Sequence, residues 1–300
     1  MNHKNTLFYK GISGFTARNH FELLTKAADS PYRWWFEALR CSKDYWWVCK
    51  QRGKTLDPDL KRVWKAFGDV FSMEFDEWWI RIGYALFQEQ VSPPKIERVD
   101  ERTVRDHIRN PKRMLLSVPT DISVKTLKMQ FLDALKTLEN RKVREGDAQF
   151  KLLKVKGIRM KVLETAVRVW HMRWRLDYDK AHPTPDVPPS NLSLYDIGAE
   201  LDISPQHKRK VGEPLEARIL KERVMRVAVI RMTNRAAALM ANAEVGLFPS
   251  YDKVKPRKRW TAEQSKALEK AVAAGKWVSP GISWIDWDRL RQRYVRGAIW

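Results

Sequence analysis

The sequence is poor in cysteine, histidine and glycine, and each shortage closes a route. Two cysteines among 300 residues, Cys41 and Cys49, exclude a fold stapled by several disulfides. On one continuous helix they would sit about 12 Å apart, beyond disulfide reach. The six histidines, at positions 3, 20, 107, 171, 182 and 207, show no metal-ligand spacing. Thirteen glycines form no phosphate-cradling loop, dinucleotide turn or nucleophile elbow. No stretch approaches about 18 uncharged apolar residues, so no transmembrane helix is expected. The opening residues, Met1-Asn2-His3-Lys4-Asn5, precede no long apolar run, so no secretory signal is expected either. These absences predict a cytoplasmic protein that is not an enzyme and uses no cofactor or metal. The acidic group Asp69, Glu74, Asp76 and Glu77 reads as a helix N-terminus, where carboxylates complement the dipole, rather than as a Mg²⁺ site.

Acidic residues are the other scarcity. Thirty-six Asp and Glu against 57 Lys and Arg leave a net charge of +21. With 44% hydrophobic and 31% charged residues, the chain has the balance of a globular protein. The charge excess points to a polyanionic partner, with nucleic acid first and a membrane surface second. The charge is graded along the chain: residues 1–100 carry +3, 101–200 carry +7 and 201–300 carry +11. Tryptophan runs the other way. Seven of the 14 fall in the first 79 residues, as Trp34-Trp35, Trp46-Trp47, Trp64 and Trp78-Trp79.

Apolar periodicity predicts a mainly α, multi-helical protein of two or three subdomains, with at most one small β element near 113–119. A helix is expected from about Tyr32 to Cys49, with Trp35, Phe36 and Leu39 on one side. Leu60, Val63, Trp64, Phe67 and Phe71 then follow helical spacing, as do Phe75, Trp78, Trp79, Ile82 and Leu86, with Gly68-Asp69 as the break between them. Adjacent Trps cannot both face one core at 100° per residue, so one of each pair must lie at a boundary or touch another element. Arg113–Pro119 is the strand candidate, and Ser123 is the N-cap of a helix through Val124, Leu127, Phe131, Leu135 and Leu138. The expected organisation is a Trp-rich helical domain (1–92), a region with the strand and a basic helix (93–180), a Pro-rich linker (181–191), a helical region (192–250) and a small basic module (251–300).

Three stretches carry candidate contacts to nucleic acid. Over 151–176, Lys154, Lys161, Arg168 and Arg175 recur every seventh residue and make a basic ridge that can track a phosphate backbone. A solvated helix face has the same pattern, and Glu164 can pair with Lys161 or Arg168. Gln206-His207-Lys208-Arg209-Lys210 is the second stretch, and the linker Lys253–Arg259, with Lys255, Arg257, Lys258 and Arg259, is the third. The long segment from Pro214 to Gly246 reads as helical, with a break near Thr233-Asn234 and Gly246 as its C-cap.

Residues 194–205 resemble the core of a helix-turn-helix. Ile197, Leu201 and Ile203 fill the apolar positions, Gly198 and Ala199 are small where helices cross, and Ser204-Pro205 offers an N-cap and first-turn pair. Asp202 stands where that family has glycine, and Gly212-Glu213-Pro214 would stop a recognition helix after two turns. The resemblance implies duplex DNA contact through Gln206–Lys210, or through a helix beginning at Pro214. Arg259-Trp260-Thr261-Ala262-Glu263, with Leu268, Ala271-Val272 and Gly275, resembles the start of a Myb/SANT-type repeat, in which Trp260, Trp277, Trp284 and Trp287 would be core rings. The N-terminal Trp pattern resembles uncharacterised bacterial proteins, some from phages or other mobile elements. The resulting expectation is a DNA-binding regulator or accessory factor that favours duplex DNA over RNA, with the Trp-rich region as a platform for a protein partner or self-association. The alternatives are a structural or assembly protein, and an RNA-binding subunit of a larger complex.

Overall fold

The computed structural model describes residues 20–88, 99–102, 104–109, 115–136, 148–153, 159–181, 192–255, 257 and 260–274. The protein is mainly helical, and among the described residues there is no strand or sheet. The helices are α1 (His20–Ala28), α2 (Pro31–Arg40), α3 (Lys43–Lys50), α4 (Pro58–Phe67), α5 (Phe75–Trp78), α6 (Tyr84–Phe87), α7 (Val104–Arg109), α8 (Val124–Lys136), α9 (Met160–Ala181), α10 (Leu194–Glu200), α11 (Leu215–Glu244) and α12 (Ala262–Ala273). A π-helical turn, Trp79–Gly83, joins α5 to α6, and a single 3₁₀ turn covers Pro205–His207.

Polar caps decide where several helices begin. The Ser42 hydroxyl accepts from the Tyr45 N–H at 2.9 Å. It thereby starts α3 and splits the single helix expected over 32–49. Asp57 caps α4 through the N–H groups of Asp59 and Leu60, and Ser193 and Thr261 form capping boxes at α10 and α12. Gly68, at φ 69°, ends α4 where the break was expected. The anticipated break at Thr233-Asn234 is absent. The Thr233 hydroxyl donates back to the Val229 carbonyl at 2.9 Å, and α11 runs unbroken for 30 residues. The strand candidate also fails over its described part. Residues 115–119 are irregular, and Leu115, Leu116 and Val118 are exposed. A strand needs a partner, and here none pairs with them. A parallel bridge instead joins Leu152 to Phe248.

The chain divides into two compact units, residues 1–90 with 148–300, and residues 91–147. The second contains α7 and α8, and none of its described residues is buried. The first holds the core. Trp35, fully buried, lies at its centre, with ring centroids 5.3–5.8 Å from Phe67, Phe87, Phe150 and Phe248. Trp78 stacks on Phe67 at 5.6 Å and donates its Nε1–H to the Phe67 carbonyl at 2.8 Å. Trp79 is buried as well, against Tyr32, Phe75 and Phe87. The two rings lie 6.4 Å apart and share Phe75 and Phe87, while Phe36 and Phe67 cover Trp78 and Tyr32 and Tyr84 cover Trp79. Trp46 is buried against Leu268 and Val272, which docks α12 onto α3. Four of the seven Trps in the first 79 residues, Trp35, Trp46, Trp78 and Trp79, are therefore core, and Trp34, Trp47 and Trp64 are partly buried. A smaller cluster, with Val169, Met172, Ile197 and Val229 among its members, joins α9, α10 and α11.

Cys41 caps α2 and Cys49 lies in α3; both are buried, and neither is in a disulfide. Burial, with Asp69 nearby, pushes the Cys49 thiol well above its usual range. Burial also lowers His171 to about 3, with Arg175 adding to the effect, and so keeps the ring neutral. Glu37 goes the other way. Burial raises its carboxyl to about 7, against the opposing pull of Arg40 and Arg33.

Trp35→Ala is expected to cost about 3–5 kcal/mol, read as a large fall in the melting temperature. For Glu37 the folded value lies above the unfolded one, so the native state holds the extra proton between about pH 4.5 and 7. Stability from this group is full below pH 4.5 and falls as pH rises through 7, by up to about 3 kcal/mol. His171 acts oppositely below pH 6.5. Glu37→Gln is therefore expected to flatten the loss of stability between pH 5 and 8 in denaturant melts, leaving the His171 slope in place.

Candidate nucleic-acid interface

Of the helix expected over 151–176, residues 151–153 are not helical, Leu152 being bridged to Phe248, and α9 spans Met160–Ala181. Lys154 lies outside the described residues. The remaining ridge residues, Lys161, Arg168 and Arg175, sit on α9 at seven-residue spacing. Each has an acidic neighbour on the same helix. Glu164 lies 3.4 Å from both Lys161 and Arg168, and Arg175 pairs with Asp179 at 2.9 Å. Arg175 is also largely buried, with its guanidinium 5.5 Å from the Tyr178 ring. The ridge is thus a set of i, i+3 and i, i+4 pairs in which two carboxylates, Glu164 and Asp179, offset part of the charge of three cations.

In the 194–210 stretch, α10 packs across α11 at Gly198. A Cβ there would lie 2.6 Å from Met225 and 2.9 Å from Val229. The small residue therefore permits the close crossing. Asp202 adopts φ 51°, the left-handed conformation that glycine takes readily. The Ser204 hydroxyl meets the His207 ring at 2.8 Å instead of a backbone N–H, and the turn after it ends at His207. Gln206 is exposed. Lys208 pairs with Asp202. Arg209 pairs with Glu222 and lies 4.3 Å from the Tyr195 ring, whose hydroxyl accepts the Arg209 N–H at 2.6 Å. The Lys210 side chain is exposed, while its backbone N–H donates to Glu213 at 3.0 Å. Glu213 also takes an ion pair from Lys221, and these hydrogen bonds hold its carboxyl below the usual range.

The 253–259 linker divides by role. Lys255 is exposed. Arg257 turns inward and clamps two carboxylates, Asp57 at 2.8 Å and Glu244. Glu244 is buried and also accepts from the Ser42 hydroxyl. Burial alone would raise Asp57, but the Leu60 N–H and Arg257 hold it below its ordinary value. This clamp ties the starts of α3 and α4 to the end of α11. Lys258 and Arg259 lie outside the described residues, as do Trp277, Trp284 and Trp287. Trp260 donates its ring N–H to Asp44 and lies under the Lys43 ammonium.

One surface was not picked out from the sequence. Between Glu222 and Glu244, α11 carries Arg223, Arg226, Arg231 and Arg235 and no carboxylate. Arg223, Arg226 and Arg231 are exposed, Arg223 and Arg231 on the side opposite the buried Met225, Val229 and Ala236 and Arg226 at its edge, and among the described residues none of the three pairs with a carboxylate. Arg235 is spent over the Tyr251 ring. Exposed Ile219, Leu220, Val227 and Ile230 share the free face. The signal available in sequence was the acid-free run from 223 to 243, which a net-charge count over 100 residues averages away. Among the described residues, no group of three His, Cys, Asp or Glu can hold a metal ion, and no helix is long and apolar enough to cross a membrane. No family model matches the chain, and no curated protein or solved structure matches it.

Arg257→Ala leaves Glu244 buried without its guanidinium. It is expected to cost about 3–5 kcal/mol in thermal or denaturant unfolding, while the affinity for duplex DNA measured below the melting transition stays within about twofold.

Proposed function

We propose that this chain is a non-enzymatic nucleic-acid-binding protein, a regulator or accessory factor that favours duplex DNA, as in a phage or mobile genetic element. The observation that carries the reading is the acid-free arginine face of α11. Three exposed guanidiniums, at 223, 226 and 231, span about 12 Å along the helix. Over that length duplex DNA presents several phosphates, at one charge per about 1.7 Å of axis. Each neutralised phosphate releases counterions, which is the favourable term. Lys210, exposed just before the helix, extends the same positive surface. The paired Lys208 and Arg209 contribute less, because their charges already have partners. The α10–turn–α11 arrangement supports duplex contact over single-strand stacking, since the described buried Trps are not free to stack on bases.

A second reading, a structural or assembly protein, is favoured by the four exposed aliphatic residues interleaved with the arginines. The two separate by salt. In the nucleic-acid reading, log affinity falls linearly with log salt, and Arg223→Ala/Arg226→Ala/Arg231→Ala lowers that slope by about three. Lys208→Ala/Arg209→Ala lowers it by less than one. Tighter binding to RNA than to duplex DNA, or a triple variant with unchanged slope, overturns the duplex assignment. A salt-insensitive oligomer in light scattering supports assembly.

A further inference from the structure

Phosphate contact uses the three exposed arginines of α11 and leaves the aliphatic residues beside them unexplained. Ile219, Leu220, Val227 and Ile230 are all exposed on the same helix. Residues 215–224 contribute no buried side chain, and the first buried residue of α11 is Met225. The helix therefore stands out from the core at its start and keeps its outer face open through Arg231. Projected at about 100° per residue, the four aliphatic side chains fall within an arc of about 100°. Arg226 and Arg231 flank that arc on opposite sides, each about 70° from its centre, and Arg223 lies near its middle.

Cation, aliphatic stripe and cation across one helix face fit a groove better than a flat surface. A major groove about 12 Å wide admits one α-helix. Its walls are two phosphate strands, and its floor is the row of base edges. With the aliphatic stripe on the floor, Arg226 faces one wall and Arg231 the other, where guanidiniums hold phosphates and fix the register. A protein surface would have to bring carboxylates to both flanks, whereas a duplex supplies anions there along its whole length. The floor then decides which bases match the stripe. Among the four bases only thymine places a methyl group in the major groove. Aliphatic side chains gain by burying that methyl. Against the cytosine amino group or the guanine oxygen they would cover polar atoms and leave them without partners. From Ile219 to Ile230 the stripe covers about 16 Å of helix axis, or about five base pairs.

We infer that α11 lies in the major groove and reads thymine methyl groups through Ile219, Leu220, Val227 and Ile230, while Arg226 and Arg231 hold the phosphates on either side. The inference rests on the duplex reading and narrows it to sites whose major groove carries methyl groups.

The test is fluorescence anisotropy of the full chain with labelled duplexes of alternating A·T sequence, built either with thymine or with uracil, which lacks only the 5-methyl group. An alternating G·C pair, with cytosine or 5-methylcytosine, returns a methyl to the same place in the groove. The thymine duplex is expected to bind about tenfold tighter than the uracil duplex, and the 5-methylcytosine duplex tighter than the cytosine one. Val227→Ala/Ile230→Ala is expected to cut the thymine-over-uracil ratio to about threefold or less, with the salt slope unchanged. Both positions are exposed, and circular dichroism with melting temperature checks that the variant folds. Equal affinity for the thymine and uracil duplexes, with a salt slope that still depends on the arginines, overturns the methyl readout and leaves the duplex reading standing. No duplex binding, or an unchanged slope in Arg223→Ala/Arg226→Ala/Arg231→Ala, overturns both. A loss with uracil and no gain with 5-methylcytosine assigns the effect to duplex shape and overturns the inference. So does a folded Val227→Ala/Ile230→Ala variant that keeps the full ratio, and a changed oligomeric state of that variant in light scattering then assigns the stripe to self-association.

Discussion

The contacts of Trp35 hold the principal unit together. Its ring meets Phe67 of α4, Phe87 of α6, Phe150 and Phe248, and its Nε1–H reaches the Ala243 carbonyl near the end of α11 at 3.5 Å. One side chain on α2 therefore touches segments separated by more than 200 residues. The 148–153 segment is drawn in beside it through Phe150 and the Leu152–Phe248 bridge. The C-terminal end of α11 is then fixed, and its N-terminal half extends over α10 with one face uncovered. The open arginine surface lies on that uncovered face. Aromatic rings suit the role because each buries a large area while losing few torsional freedoms.

Electrostatics divides the positive charge into two kinds. Lys161, Arg168, Arg175, Lys208, Arg209, Lys221 and Arg257 all meet carboxylates inside the fold. Their contribution to a polyanion partner is reduced, since they bring their own counter-charge. Arg257 goes further and acts as internal structure, between Asp57 and Glu244. Among the described residues, the acid-free part of α11 keeps three exposed arginines, Arg223, Arg226 and Arg231, without such a counter-charge. The net excess of +21 is a total over the chain, and the pairing pattern says which of the described cations the fold already supplies with a counter-charge.

Much of the fold was legible in local sequence. Helical spacing marked α4, α8 and the long α11; Gly68 marked the end of α4, and Gly246, at φ 76°, lies just past α11. These signals work because caps and apolar stripes act within one or two turns. The failures have different physical causes. The split at Ser42 was hidden because α2 and α3 together keep an apolar pattern that one helix would also show. The Thr233-Asn234 break was wrong because a side-chain hydroxyl can return its hydrogen bond to the preceding turn without leaving the helix. The burial of both Trp78 and Trp79 depended on rings from elsewhere in the chain, Phe36 and Phe67 over one and Tyr32 over the other, which spacing within one helix does not reveal. The strand at 113–119 lacked a partner over its described part, and partners are non-local.

The candidate sites were less legible than the fold. Lys161 and Arg168 were visible as a basic repeat, and Glu164 between them was visible as a possible partner, but whether the three would pair depended on rotamers in a packed helix. Asp202 and Lys208, or Asp57 and Arg257, lie too far apart in the chain for spacing to join them. By itself, then, the sequence determined a helical chain with a surplus of positive charge, because helix periodicity and composition are properties of near neighbours and of totals. Only the tertiary structure decided that Arg209 and Arg257 are neutralised, which tryptophans are core and which face of α11 stays open, because those outcomes rest on contacts between residues that the chain order keeps apart.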